Sequence, residues 1–304
     1  MNVLVTGGAG FIGSHIIRLL LEDGHHVSVL DNLKNGHMES VDSRAHLIIG
    51  DIKDPQRTKE ALQNIESVIH LAGLIVVPDS VRDPILYCQN NVLGTVNLLE
   101  QMRKANVRKI IFSSSACVYG TPDKLPIKED APIRPDNPYG AAKASIEVFL
   151  RSYHVDFGFD VTILRYFNPY GPGEKHNPET HAIPNFIKAT LAKAPIPLYW
   201  QGEQIRDFIF IKDLVRAHID VLPLGGFNIF NVGTETGIKV KDVLDAIFEI
   251  IGYESPIEDL GERLGDVQVN YASSIKLHKT VNWSAKVNLK EGLQETINYY
   301  KDNL

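Results

Sequence analysis

The stretch Val5-Thr6-Gly7-Gly8-Ala9-Gly10-Phe11-Ile12-Gly13 joins a short apolar run, Val3 to Thr6, to a helical pattern that begins at Phe11. It satisfies Gly-x-Gly-x-x-Gly through Gly8, Gly10 and Gly13, and Gly-x-x-Gly-x-x-Gly through Gly7, Gly10 and Gly13. Glycine at these places permits a tight turn and lets backbone N–H groups approach a pyrophosphate at the positive end of the helix. A second run, Val27 to Leu30, is followed by Asp31. That acid lies about 20 residues on, where a carboxylate accepts from both hydroxyls of an adenosine ribose. The same carboxylate repels a 2′-phosphate, so the pattern predicts a dinucleotide site that prefers NAD to NADP.

Outward from that turn, strand-like and helical stretches alternate. Val3 to Thr6, Val27 to Leu30, His46 to Ile49, Ser67 to Leu71, Lys109 to Ser113 and Asp160 to Leu164 have the length and uniform apolarity of strands buried on both faces. Helical patterns lie between them at about Phe11 to Asp23, Gln56 to Gln63, Ile85 to Ala105 and Tyr139 to Phe157. Such alternation predicts an α/β fold with a doubly wound parallel sheet and right-handed crossovers. After Arg165 the texture changes, with Pro and Gly clustered in Asn168-Pro169-Tyr170-Gly171-Pro172-Gly173 and Ala194-Pro195-Ile196-Pro197. Helical patterns continue at about Ile183 to Ala192, Lys212 to Val221, Val240 to Ile251 and Leu289 to Lys301. We therefore expect a Rossmann-like cofactor domain over 1–166 and a smaller α/β substrate-binding lobe over 167–304. Part of the latter, about 204–232, is expected to pack back on the cofactor domain.

At 304 residues, 44% hydrophobic and 22% charged, the chain has the composition of a globular protein with a sizeable core. A net charge of -6, with both signs mixed along the chain, offers no basic stripe for nucleic acid. No apolar run approaches the ~20 residues that span a bilayer. Met1 to Thr6 lead straight into a strand-like run without a charged n-region and cleavage site, so no secretory leader is expected. The two cysteines, Cys88 and Cys117, make neither a disulfide framework nor a CxxC pair. His25, His26, His176 and His181 have no ligand spacing, so no metal is expected. These features together predict a cytoplasmic protein.

Asp136-Asn137-Pro138 supplies capping residues and a proline suited to a first helical turn. Tyr139 and Lys143 then stand at i and i+4, on one helix face. A phenol is a poor base at neutral pH, but a nearby ammonium and a positive nicotinamide ring both favour the phenolate. The pair thus sets a proton acceptor beside a hydride acceptor, as alcohol oxidation requires. Ser113-Ser114-Ser115 falls at the carboxyl end of a predicted parallel strand, the edge at which ligands bind in such sheets. A hydroxyl there can bridge the reacting oxygen and the tyrosine.

Thr6 to Gly13, Asp31, Leu71-Ala72-Gly73, Asn90-Asn91, Ser113 to Gly120, Tyr139 to Lys143 and Arg165 to Asn168 together resemble the extended short-chain dehydrogenase/reductases. Within them the chain is most similar to the NAD-dependent nucleotide-sugar epimerases that act on UDP-glucose and UDP-galactose at C4. The resemblance runs from Met1 to about Trp283. It implies that Tyr139 is the base, that Lys143 lowers its pKa and binds the nicotinamide ribose, and that Ser115 hydrogen-bonds the reacting oxygen. It implies a cofactor set of Gly7, Gly10, Phe11, Ile12, Gly13, Asp31, Asn32, Asn35, Gly36, Asp51, Ile52, Leu71, Ala72, Gly73, Asn90, Ser113 and Tyr166, with Tyr139 and Lys143. A UDP-sugar would meet Ser115, Tyr139, Asn168, Asn185, Arg206, Arg263, Asp266 and Asn270, the arginines as phosphate clamps.

The dehydratase relatives carry an acidic pair after the strand-exit hydroxyl, and the decarboxylase relatives a glutamate. Ser115-Ala116-Cys117 has neither. What remains is transient oxidation at C4, rotation of the keto-sugar and return of hydride to its other face. Asn270 stands where a bulky aromatic excludes N-acetyl groups in the family, so N-acetylhexosamines become candidate substrates. The alternative is another NAD-dependent nucleotide-sugar enzyme of this family: a UDP-uronic acid 4-epimerase, a decarboxylase or a reductase. The family also implies a homodimer, paired through the helices near Ile85 to Ala105 and Tyr139 to Phe157.

Overall fold

A computed structural model describes residues 1–175, 181–262 and 267–303. Arg263 and Asp266, expected at the substrate, and His176 lie outside the described residues. In chain order the elements are β1 (Asn2–Thr6), α1 (Phe11–Glu22), β2 (His26–Asp31), β3 (His46–Ile49), α2 (Pro55–Ala61), β4 (Ser67–His70), α3 (Val77–Arg82), α4 (Pro84–Tyr87), a π-helical turn (Cys88–Leu93), α5 (Gly94–Lys104), β5 (Lys109–Ser115), α6 (Pro138–Phe157) and β6 (Asp160–Tyr166). Then follow β7 (Asn168–Tyr170), α7 (Ala182–Leu191), β8 (Ile196–Leu198), β9 (Ile205–Arg206), β10 (Phe208–Phe210), α8 (Ile211–Val221), β11 (Phe227–Val232), β12 (Ile238–Lys239), α9 (Val240–Ile251), β13 (Ile257–Asp259), β14 (Val269–Asn270), α10 (Ile275–Val281) and α11 (Leu289–Asn303).

The chain divides into two compact units. The first comprises residues 1–120, 132–166 and 215–230. Its seven-stranded sheet has the order β11-β6-β5-β4-β1-β2-β3, and the ladders from β3 through to β6 are all parallel. Successive residues of a strand point to opposite faces, and Val3, Leu4 and Val5 are all fully buried, so both faces of the sheet are covered. One covering layer contributes Leu98, Leu99 and Met102 of α5 and Ile146 and Leu150 of α6, packed with Leu4, Val68, Ile110 and Ile163. The strand order reverses between β1 and β4, and the loops after those strands flank the crevice where such sheets bind ligands.

Two expectations need correction. The sequence assigns His46–Ile49 to the strands buried on both faces, but β3 is the edge of the sheet and leaves His46 and Ile49 exposed. It also draws one helix from Ile85 to Ala105, which the structure divides. Asp83 caps α4 by accepting from Leu86 N at 2.9 Å, with Pro84 in the first turn. The π-helical turn then takes up extra residues before α5.

The second unit comprises residues 121–131, 167–214 and 231–304. Helix α9 buries Val240, Val243, Leu244, Ile247 and Phe248, the spacing of a one-sided helix, and packs with α7 and α11. Short sheets surround these helices: β7 with β10, β8 with β13, and β12-β9-β14. Segment 121–131 belongs here because Ile127 N donates to Tyr271 O at 2.9 Å and Ser273 N to Ile127 O at 2.7 Å. No helix among the described residues is long and apolar enough to cross a membrane.

Candidate active site

In the loop between β1 and α1, the glycines do separate work. Gly7 has φ +72°, and a Cβ on it would lie 2.7 Å from Ala72 N, so the loop rests against the Leu71-Ala72-Gly73 turn. A Cβ on Gly13 would lie 2.5 Å from Gly7 O, so only glycine lets α1 start so close to the turn. At Gly10 a Cβ would meet only Gly7 O, at 3.3 Å. Gly10 is also the N-cap of α1 and brings no side-chain acceptor to its first amides, which leaves the positive helix end for an anion. Phe11 and Ile12 form the first turn, half-buried.

Asp31 is 8% exposed at the end of β2. Its Oδ2 accepts from Ala9 N at 3.0 Å and its Oδ1 from Leu33 N at 2.9 Å. These bonds fix the carboxylate and leave each oxygen a further lone pair. A Cβ on Gly36 would come within 3.0 Å of Asp31 Oδ1, so the chain passes directly over the acid there. Asn32 Nδ2 donates to Asp51 Oδ2 at 3.2 Å, while Asn35 is exposed. The Ile52 side chain is a core residue, 5% exposed, and its carbonyl accepts from Asn97 Nδ2 at 2.6 Å. Between helix end, fixed acid and close-packed turn, the residues present fit NAD.

The sequence reading selects Asn90, but its neighbour makes the firmer contacts. Asn91, 1% exposed, accepts from Leu74 N at 2.8 Å and donates to Leu74 O at 2.9 Å; Asn90 is half-buried and donates to Asn91 Oδ1 at 3.1 Å. Next to it, Thr95 Oγ1 donates to Asn91 O at 2.6 Å, so it must accept from His70 Nε2, 2.8 Å away. His70 Nδ1 therefore accepts from Thr6 Oγ1 at 2.7 Å. Burial, then the Lys143 charge, pushes His70 down to about 3, so a neutral imidazole ties β1 to β4 and to α5. A lone histidine at a strand end carries no sequence signal for this; its two threonine partners stand 64 and 25 residues away.

Helix α6 begins where Asn137 Oδ1 accepts from Gly140 N at 2.9 Å, with Pro138 in the first turn. Tyr139 N, which has no helical partner, donates to Ser80 Oγ at 3.2 Å. Tyr139 is 9% exposed and Lys143 3%. Lys143 Nζ donates to Ser113 O at 2.6 Å and lies 4.8 Å from the Phe112 ring centre and 5.9 Å from that of Tyr139. The Tyr139 hydroxyl hydrogen-bonds Ser115, whose Oγ also accepts from Cys117 N at 3.2 Å. Ser113 bonds in turn to Tyr166, whose hydroxyl is 2.5 Å from His218 Nε2. The structure thus gathers Ser113, Ser115, Tyr139, Lys143 and Tyr166 at the carboxyl end of β5 and β6.

Burial pushes the Lys143 ammonium down to about 8, with Glu147 opposing. Burial also raises the Tyr139 phenol well above its usual value, and the Ser115 hydrogen bond only partly offsets this. In the protein alone desolvation therefore wins, whereas the expected lowering combines the ammonium with the positive charge of a bound nicotinamide.

In the second unit, Arg206 and Asn270 pair in register across the parallel strands β9 and β14. Arg206 Nη1 donates to Ile205 O at 2.9 Å, and Asn270 Oδ1 is buried with no hydrogen-bond partner among the described residues. Asp207, fully buried, braces that corner by accepting from Thr234 N and Oγ1, both at 2.7 Å, and from Ala272 N at 3.0 Å. Asn168 opens β7, its N donating at 2.9 Å to the carbonyl of Asp207, the neighbour of Arg206, and Asn185 lies on α7. Among the described residues no cluster of His, Cys, Asp and Glu could hold a metal ion.

Comparison with known proteins gives this geometry a lineage. The UDP-glucose 4-epimerase of Lactobacillus helveticus is 38% identical, over 94% of this chain and 92% of its own length. The structure is similar to that of the UDP-glucose 4-epimerase of Thermotoga maritima with UDP-glucose, with a TM-score of 0.96 and 36% identity over 100% of this chain and 99% of that one. It is also similar to the UDP-N-acetylglucosamine 4-epimerase of Methanobrevibacter ruminantium in complex with UDP-N-acetylmuramic acid, with a TM-score of 0.94 and 34% identity over 100% and 99%. Residues 3–233 match the profile of the NAD dependent epimerase/dehydratase family, and the chain belongs to that family.

Proposed function

We propose that this protein is a UDP-sugar 4-epimerase, interconverting UDP-glucose and UDP-galactose, with their N-acetyl forms as further substrates. The observation that carries the reading is the buried Tyr139–Lys143 pair, joined through Ser113 and Ser115 to the carboxyl end of β5. When bound, NAD supplies reversible two-electron oxidation at C4.

Tyr139 Oη accepts the proton of the 4-hydroxyl as that carbon is oxidised and returns it on re-reduction. Tyr139 acts as base only as the phenolate, which the Lys143 ammonium and the positive charge of an oxidised cofactor would favour, the phenol's own proton having left to solvent. Ser115 Oγ, already bonded to Tyr139, positions the sugar oxygen. Lys143, anchored on Ser113 O, supplies a fixed positive charge beside the phenol and a donor for the nicotinamide ribose. Asp31 receives the adenosine ribose and the N-terminus of α1 the pyrophosphate. Arg206 and Arg263 act as phosphate clamps and with Asn185 hold the nucleotide half, Asn168 reaches the diphosphate or sugar, and Asp266 is a further substrate contact. Asn270, whose Oδ1 has no hydrogen-bond partner among the described residues, gives the substrate a polar contact, and its side chain is smaller than an aromatic ring.

The fold also exposes apolar side chains on the helices named for pairing: Ile85 is 68% exposed, Val148 71% and Val155 68%. We take them as the contact of a homodimer, which Val148→Glu with Val155→Glu should split on a sizing column. With both cysteines outside any disulfide, Cys88 exposed, we place the enzyme in the cytoplasm.

The reading is tested by incubating purified protein with UDP-galactose and no added reductant. Epimerisation without lasting absorbance at 340 nm supports it. A stoichiometric absorbance change at 340 nm with an oxidised product indicates net oxidoreductase chemistry instead, and release of CO2 from a UDP-uronic acid offered in place of UDP-galactose indicates the alternative decarboxylase.

A further inference from the structure

One turn beyond Lys143, at i+4 on α6, stands Glu147, 7% exposed. Its Oε2 accepts from Arg165 Nη2 at 2.6 Å, and its Oε1 from Arg165 Nε at 3.0 Å and Ser114 Oγ at 2.6 Å. Arg165, 3% exposed on β6, donates through Nη1 to Tyr119 Oη at 2.8 Å. Ser114 and Arg165 are register partners in the β5–β6 ladder. The chain Ser114–Glu147–Arg165–Tyr119 therefore ties α6 to two adjacent strands, directly behind the lysine.

Cohesion alone does not explain this network. Two ions withdrawn from water pay a large desolvation penalty, and well-packed apolar side chains commonly hold the same elements equally well. An apolar pair cannot set the local potential, and the potential is what Lys143 needs. The groups around it are few: Tyr139 and Glu147 on its own helix, Phe112 and the Ser113 carbonyl on β5, neutral His70 at the end of β4 and Cys117 in the turn after β5, with Arg165 of β6 beyond as the ion partner of Glu147. Among those that resist the effect of burial on the ammonium, Glu147 acts most strongly, ahead of Cys117. Arg165 balances that carboxylate on its other side, through a bidentate ion pair.

We propose that Glu147 is a positioning residue for Lys143: its carboxylate, held by Arg165 and Ser114, keeps the lysine charged against the Ser113 carbonyl. The proposal rests on the reading of Tyr139 and Lys143 given above. Its consequence has a sign that loosened packing cannot imitate. Removing the carboxylate takes away the anion that opposes burial while the buried Arg165 cation remains, so Lys143 should lose its proton more readily. Loosened packing would admit water and move the lysine towards its ordinary value.

The test follows the titration of Lys143 by NMR on protein carrying 13Cε-lysine, the resonance being assigned by its loss in Lys143→Met. Glu147→Gln should lower the midpoint by about one pH unit. Arg165→Gln, which leaves the carboxylate without its cation, should raise it, and this second variant decides the matter if the first does not fold. Glu147→Gln combined with Arg165→Met should return the midpoint towards wild type. An unchanged or raised midpoint in Glu147→Gln, or a lowered one in Arg165→Gln, overturns the proposal. Activity assays keep the two ideas apart: an inactive Lys143→Met with an unmoved midpoint in Glu147→Gln sinks this proposal alone. Full activity in Lys143→Met sinks the reading of the pair and this proposal with it.

Discussion

Lys143 donates to the carbonyl oxygen of Ser113 at 2.6 Å, although the ammonium lies in a site that disfavours its charge. Its folded midpoint, about 8, is below the ordinary 10.5. Between those values the unfolded chain binds more protons than the folded one, so this group makes stability rise with pH across that window. Below about pH 8 the penalty is constant, at most about 3 kcal/mol. Lys143→Met should therefore make the cofactor-free protein more stable than wild type at pH 7, with the advantage shrinking by pH 10. Urea unfolding at both pH values checks this.

His70 makes the same argument on the acid side. Its midpoint falls from 6.5 to about 3, so below pH 6.5 the unfolded chain takes up a proton that the folded one refuses. Stability from this group falls as pH drops towards 3, by at most about 1.4 kcal/mol per pH unit. His70→Gln should flatten the stability profile between pH 6.5 and 4.5. An unchanged slope would show that other groups dominate acid unfolding.

The glycine loop separates folding from binding. Gly13→Ala drives a Cβ to 2.5 Å from Gly7 O and should lower thermal stability, by about 1–3 kcal/mol. Gly10→Ala meets only Gly7 O, at 3.3 Å, and should fold with near wild-type stability. Its methyl would stand where the pyrophosphate approaches the first turn of α1, so NAD affinity should fall about tenfold or more. Calorimetric unfolding and NAD titration of both variants measure the two effects.

Elements with one dominant local signal were the most legible. The alternation of β1, α1 and β2, the glycine spacing and Asp31 are written within some thirty residues of one another, and α9 appears from its apolar period alone. Tyr139 and Lys143 were legible because Asn137 and Pro138 mark the helix start and i, i+4 spacing marks the face. The break in the helix across Cys88–Leu93 was not, since Leu86, Leu93 and Val96 fit a continuous helix as well as a divided one. Nor was the strength of the burial effect on Tyr139, because spacing does not report depth. The network of Glu147 and Arg165 joins residues 18 apart on different elements, and neither carries a motif by itself. Short strands such as β9 and β14 hold only two residues each, too few for any period to show.

The central claim is that Tyr139 moves the proton in a reaction with no net redox change. The measurement that tests it most directly is chromatographic resolution of UDP-galactose and UDP-glucose after incubation with wild type and with Tyr139→Phe at equal NAD occupancy. The account predicts conversion towards equilibrium by the wild type without added reductant, and a rate lower by roughly three orders of magnitude in the variant. Undiminished conversion by Tyr139→Phe, or no conversion of either sugar nucleotide by NAD-loaded wild type, would contradict it.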